Sequence, residues 1–166
     1  MFPDICWDIE KGKVLQEFQH WSDQGLYKVE FEITVTNLGS GWTSIFHFSA
    51  NGDARGYGDR IPAIFINSHG YFHICSAING NANKCKNIDF KLGKKYQITI
   101  SQFKASGKYW YEIIIDGESK FKIENGIPWR WSSFSSVKLY ASDPWYNSFS
   151  SDLGSICNVR IQQEDG

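Results

Sequence analysis

Apolar and polar residues alternate with a period of two along most of this chain, and that period predicts strands rather than helices. The clearest run is residues 26–35, where Tyr27, Val29, Phe31, Ile33 and Val35 take one face and Lys28, Glu30, Glu32 and Thr34 the other. Residues 94–125 hold three more runs. In the first, Tyr96, Ile98 and Ile100 alternate with Gln97, Thr99 and Ser101. The second, residues 108–116, is apolar or aromatic on both faces, which predicts a strand covered on both sides. Asp116-Gly117 then supplies a tight hairpin turn, since glycine reaches positive φ without a Cβ clash. The third run sets Phe121 and Ile123 against Lys120, Lys122 and Glu124. This meander is expected in the middle of an antiparallel sheet, with the other strands pairing outward from it.

Shorter runs extend the pattern through one segment near the amino end and through residues 14–18, 44–50, 61–67, 71–78, 137–141 and 155–162. Residues 51–60, 79–83 and 142–154 break it with glycine, asparagine, aspartate and serine, and these are expected to be loops. About eleven short strands with turn signals at regular intervals, no helical period and no internal repeat predict an all-β, antiparallel two-sheet β-sandwich. Residues 1–166 are read as a single domain of this kind.

Composition agrees with that reading. A chain of 166 residues buries roughly two-thirds of its unfolded surface without a second domain. Aromatic residues make up 16% of it, including seven tryptophans, which suits β-structure and aromatic-lined surfaces better than helical bundles. With 17 basic and 18 acidic side chains interspersed, there is no single-signed field to draw in nucleic acid or an anionic membrane. No apolar run approaches the roughly 20 residues a membrane helix needs. The amino end carries no signal segment, as in a mature secreted chain or a cytosolic one.

The four cysteines, Cys6, Cys75, Cys85 and Cys157, permit two bridges. Cys75 and Cys85 flank a polar insert between two strands, and joining them restricts the unfolded chain by roughly 3 kcal/mol in the chain-entropy account. That pair is the expected bridge. Cys6 and Cys157 lie near opposite termini and can pair with each other or across a dimer; four reduced thiols are the remaining alternative.

Two loops carry candidate chemistry. A calcium ion needs six to eight hard oxygens gathered on flexible loops, and Asn51, Asp53 and Asp59 offer three side-chain donors among glycines that let carbonyls turn inward. Their spacing is not that of an EF-hand, and a solvated polar loop has the same composition. Asp143, Asn147 and Asp152 form a weaker second set. Sugar recognition needs flat rings and groups that fix hydroxyls; Arg55 and Tyr57 in the first loop, and Trp145, Tyr146 and Asn147 in the second, have that chemistry.

Catalysis is expected to be absent. Glu30 and Glu32 lie about 7 Å apart on one strand face, within glycosidase range, but they share that face with Lys28 and Thr34 and have no third acidic partner. His69, His73 and Cys75 lack the usual zinc spacing. No nucleophile elbow, phosphate loop or dinucleotide fingerprint is present.

The run IIIDGESKFKIEN is similar to the strand, Asp-Gly turn and strand of laminin-G-type and related lectin modules. The set GDRIPAIFI, SAINGNANKC, VKLYASDPWY and GSICNVRI resembles concanavalin-like jelly-roll domains, in particular calcium-dependent galactose-binding lectins of marine invertebrates. Together these stretches span residues from about 43 to 161, most of the chain. The resemblance implies a secreted jelly roll that binds galactose-terminated glycans through a calcium ion, often as a homodimer. An adhesive protein-binding module and a jelly-roll glycoside hydrolase are the rival classes.

Overall fold

The computed structural model describes residues 2–21, 25–39, 41–52, 56–126, 136–145 and 152–164. Among these it holds twelve strands: β1 (Phe2–Asp8), β2 (Lys13–Phe18), β3 (Leu26–Val35), β4 (Thr43–Ser49), β5 (Ala63–Ile66), β6 (Tyr71–Ile78), β7 (Asn81–Asp89), β8 (Lys95–Ala105), β9 (Lys108–Ile115), β10 (Glu118–Glu124), β11 (Val137–Ser142) and β12 (Gly154–Glu164). They form two six-stranded sheets, ordered β1-β12-β3-β8-β9-β10 and β2-β11-β4-β5-β6-β7, and every ladder is antiparallel. We call them sheets A and B. The chain is the expected all-β, two-sheet jelly-roll sandwich.

The inward residues of the two sheets interlock. Phe31 of β3 stacks on Phe46 of β4 with ring centroids 4.2 Å apart, and Trp21 packs against Phe48 at 5.2 Å. Toward one part of the core the filling turns polar but stays paired. Ser76 of β6 donates to the Tyr111 hydroxyl of β9 at 3.0 Å, Gln102 donates to the Ala77 carbonyl at 3.3 Å, and Asn125 donates to Gln102 at 2.9 Å. Two of these three bonds cross from one sheet to the other. Burial holds the phenols of Tyr27 and Tyr111 well above their ordinary pKa, so both stay neutral.

Three expectations need correction. The β8–β9–β10 meander lies at the side of sheet A, with β10 as its edge, rather than in the middle; β3 and β8 are the central pair. β9 is covered on one face alone: Tyr111, Ile113 and Ile115 are buried, whereas Trp110, Glu112 and Ile114 stay half-exposed. The polar stretch expected as a loop at 79–83 is instead the hairpin that begins β7. Asn79 and Gly80 both take positive φ, 54° and 74°, and make a two-residue turn. β7 is the edge of sheet B, so it needs few apolar residues, and its charged side chains face water as edge strands require.

Both bridges close within the chain. Cys6 and Cys157 are joined between β1 and β12, and Cys75 and Cys85 face each other across β6 and β7. The reduced-thiol and interchain alternatives are excluded in this structure. Gly154 also has a fixed role: a Cβ there would collide with the Thr34 carbonyl as β12 enters sheet A.

Candidate functional site

Strand register decides what the outer face of sheet B presents. Tyr140 lies opposite His47, His47 opposite Ala63, Ala63 opposite Cys75, and Cys75 opposite Cys85. Directly paired residues share a face, so these five form one row across the sheet. The next row carries Phe65, His73 and Asn87. Four of the five members of the first row are large or chemically reactive in kind, and His47 and Cys75 are fully buried. Asp59, Asp143 and Trp145 lie against His47, and Arg60 lies against Cys75.

The first connection is organised by Asp59. Its two carboxylate oxygens accept the backbone N–H groups of Gly52 at 3.2 Å and Gly56 at 2.8 Å, and the residue is 5% exposed. The Ala50 amide bonds the Gly58 carbonyl and the Ile61 amide bonds the Phe48 carbonyl, so the loop closes onto the end of β4. Arg60 then leaves the loop sideways. Its guanidinium lies 4.4 Å from the centroid of Phe65, donates to Asn83 at 2.8 Å, and reaches to 3.8 Å from the Cys75 sulfur.

His47 ties this connection to the second one. Its Nε2 bonds the Asp59 carbonyl at 2.5 Å and its Nδ1 meets Asp143 Oδ2 at 2.7 Å, with both side chains of that pair fully buried. A carbonyl can only accept, so Nε2 carries a hydrogen; the Nδ1 contact holds a further proton between imidazole and carboxylate. The other Asp143 oxygen accepts the Trp145 amide at 2.9 Å, and the Asp143 amide donates to Ser44. The turn bearing Trp145 is therefore fixed from below. The indole stands edge-on to His47 at 5.6 Å and to Tyr140 at 5.5 Å, yet remains 40% exposed. Burial, and then the charges of Asp143 and Glu17, push the Tyr140 phenol above its ordinary pKa. The result is a rigid aromatic surface at the rim, held by two loops through one buried histidine.

The candidate residues from the sequence fall as follows. Asn51 is exposed at the start of the first loop, and Tyr57 is half-buried against the core. Asp59 is turned inward onto main-chain amides. Asp53, Arg55, Tyr146 and Asn147 lie outside the described residues. Asp143 is engaged by His47 and Trp145, and Asp152 is exposed with its carbonyl accepting the Thr36 hydroxyl at 2.7 Å. Among the described residues, then, the carboxylates of Asp59 and Asp143 are employed in holding backbone and imidazole, and with Asp152 exposed at a distance in sequence they do not by themselves assemble a calcium cage. Glu30 and Glu32 pair with lysines, Glu30 with Lys28 at 2.9 Å and Glu32 with Lys95 at 3.3 Å. A depression of about 250 Å³ lies near them on sheet A, lined by Lys28, Thr99, Ser101, Phe103, Glu112 and Gln162 among others.

His47, Arg60 and Tyr140 were not singled out from the sequence. The signal for His47 was available, since a histidine between Phe46 and Phe48 must face away from the apolar side that those rings define. A second exposed tryptophan, Trp42, was also passed over; it is 41% exposed and tilts over His73 at 4.7 Å.

No protein-family model matches the chain, and no curated protein sequence does. Solved structures match its fold. The heptameric SAP-like pentraxin from Limulus polyphemus is 15% identical, with a TM-score of 0.53 over 96% of this chain and 69% of its own. Alginate lyase A1-II', a member of polysaccharide lyase family 7, is 13% identical, with a TM-score of 0.56 over 88% of this chain and 65% of its own. The sialidase of Trypanosoma rangeli is 11% identical, with a TM-score of 0.56 over 82% of this chain and 20% of its own. The chain thus spans about two-thirds of the length of the pentraxin and the lyase, and a fifth of the sialidase. At these identities the likeness is one of fold.

Proposed function

We propose that this chain is a secreted carbohydrate-binding protein whose rim, built around Trp145, stacks on the apolar face of a sugar ring. The observation that carries the reading is the braced, solvent-facing indole: its amide is fixed by Asp143 and its edge contacts by His47 and Tyr140, so little side-chain entropy is lost on binding. Two intrachain disulfides suit an oxidising compartment, and no helix among the described residues is long and apolar enough to cross a membrane. Jelly-roll neighbours with carbohydrate-related names, the alginate lyase and the sialidase, favour a sugar as the ligand class.

In its finer form the proposal names galactose-terminated glycans as ligand, calcium as cofactor and a homodimer as the working unit, all three implied by the lectin resemblance. Avidity across two copies would offset weak single-site binding. Calcium binding would draw on Asn51 and Asp53, with Asp59 shaping the loop from inside. We read the chain as a binder and not an enzyme, because Glu30 and Glu32 are each held by a lysine on an open face.

A glycan array run with and without chelator, on the wild type and on Trp145→Ala, tests both levels. Binding lost in Trp145→Ala supports the platform; binding that survives chelation removes calcium from the account. Turnover of a polysaccharide would overturn the non-enzymatic reading, and binding to a matrix protein without any glycan would favour an adhesion module.

A further inference from the structure

The row across sheet B ends at the Cys75–Cys85 bridge, and the surroundings of that bridge are not those of an inert staple. The donor atoms of His73, Cys75 and Cys85 lie within 4.8 Å of one another. The His73 Nδ1 meets Asn87 Oδ1 at 2.6 Å; an amide oxygen can only accept, so Nδ1 carries the hydrogen. In the neutral ring the other nitrogen keeps its lone pair, the state in which imidazole binds a metal, and Asn87 supplies the outer hydrogen bond that metal-binding histidines commonly have. Arg60 stands 3.8 Å from the Cys75 sulfur. We propose that reduction of the Cys75–Cys85 bridge exposes a site in which His73, Cys75 and Cys85 bind a borderline-soft divalent cation of the zinc type.

The two sulfurs differ in access. Cys75 is fully buried whereas Cys85 is half-exposed at the edge strand. A thiolate of an external dithiol therefore attacks Cys85 Sγ, forming a mixed disulfide, and Cys75 leaves as a thiolate beside the Arg60 guanidinium, which stabilises its charge. The second thiol of the reductant, deprotonated, attacks its own partner sulfur in the mixed disulfide. Cys85 is released, and the reductant departs as a cyclic disulfide. Two electrons have passed to the protein and two cysteine sulfurs are free. Metal binding then displaces any proton remaining on them, giving two thiolates and one imidazole around the cation. Because Cys85 lies at the edge of the sheet, a fourth position stays open to water or a small ligand. Among the described residues Cys6 and Cys157, which join β1 to β12 in sheet A, belong to no such group of donor atoms.

The test uses the full chain carrying Cys6→Ser and Cys157→Ser, so that every thiol counted belongs to this bridge. The protein is reduced with a dithiol under argon, freed of reductant, and titrated with Co²⁺ and then Zn²⁺. We expect one Co²⁺ per chain, a thiolate-to-cobalt charge-transfer band seen in the reduced form alone, displacement by Zn²⁺, and affinity weakened about tenfold or more by His73→Ala. The same titration on the reduced wild type guards against misfolding of the double variant. A cobalt band that is indifferent to His73→Ala overturns the proposal. So does loss of the β-sheet circular dichroism on reduction with no metal bound, since the site requires β6 and β7 to stay paired.

Discussion

The two outer faces of this sandwich begin from the same alternation and end in opposite conditions. On sheet A the outward positions of β3 and β8 include Lys28, Glu30, Glu32, Thr34, Lys95, Gln97 and Thr99, which meet solvent through exposed or half-exposed side chains and lysine–glutamate pairs, and the small Ser101, which is buried. On sheet B the outward positions include His47, Phe65, His73 and Tyr140, of which His47, Phe65 and Tyr140 are buried, with Asp59, Asp143 and Trp145 lying against His47 and Arg60 against Phe65. Burying outward side chains under a loop requires every polar group there to find a partner. The His47–Asp143–Trp145 chain and the Asp59 carboxylate supply such partners, while the buried Ser142 hydroxyl finds none among the described residues. The lesson is that a sheet's outward residues, once they turn aromatic or imidazole-bearing, mark the face where loops dock and where a ligand surface can be held rigid.

That contrast can be broken most severely at His47. Replacing it with alanine leaves the Asp143 carboxylate buried without its imidazole, and we expect a loss of about 3–5 kcal/mol in denaturant unfolding. A loss below about 1 kcal/mol would mean the loops do not depend on this pair. Alkaline pH acts next, between the faces rather than on them. Tyr27 and Tyr111 have folded pKa values raised by burial, so their contribution is complete below the unfolded value of about 10 and is lost as pH rises toward the folded values. Each should remove about 1.4 kcal/mol of stability per pH unit in that window. In an absorbance titration, two phenolates should appear together with unfolding rather than before it.

Smaller effects sharpen the comparison. Trp145→Ala removes a ring that is well exposed, and its stability cost should stay near 1 kcal/mol, measured by thermal unfolding, while the rim loses its platform. Glu32→Gln on sheet A breaks one pair with Lys95 at the surface and should change stability by about 0.5 kcal/mol or less. If Glu32→Gln proved as costly as His47→Ala, the difference drawn between the faces would fail.

Much of the sandwich was legible because a period of two needs only the chain itself. Residues 26–35 were expected as a strand and are β3, and the Asp116-Gly117 turn takes φ values of 51° and 80° as a hairpin requires. β7 was hidden because an edge strand has little to bury: NANKCKNID shows half-buried positions at Ala82, Cys85 and Ile88 only, a spacing that no strand rule predicts. The Asn79-Gly80 pair was the missed cue. The order of strands was less accessible, since placing the meander at an edge depends on β12 returning beside β3 from far along the chain. At the rim, the sequence pointed to Asp59 and Trp145 by residue type alone. It could not show that Asp59 would spend its carboxylate on Gly52 and Gly56, or that His47 would join Asp59 to Asp143, because those contacts link residues whose spacing carries no pattern.

The central claim is that the braced indole of Trp145 is the surface that meets a sugar. The most direct check is calorimetric titration of wild-type protein, Trp145→Ala and Glu32→Gln with a glycan drawn from array screening. The account predicts heat of binding that vanishes in Trp145→Ala, in a chain that unfolds at nearly the wild-type temperature, and that persists in Glu32→Gln. Undiminished binding in Trp145→Ala, together with its loss in Glu32→Gln, would place the ligand on sheet A and contradict the account.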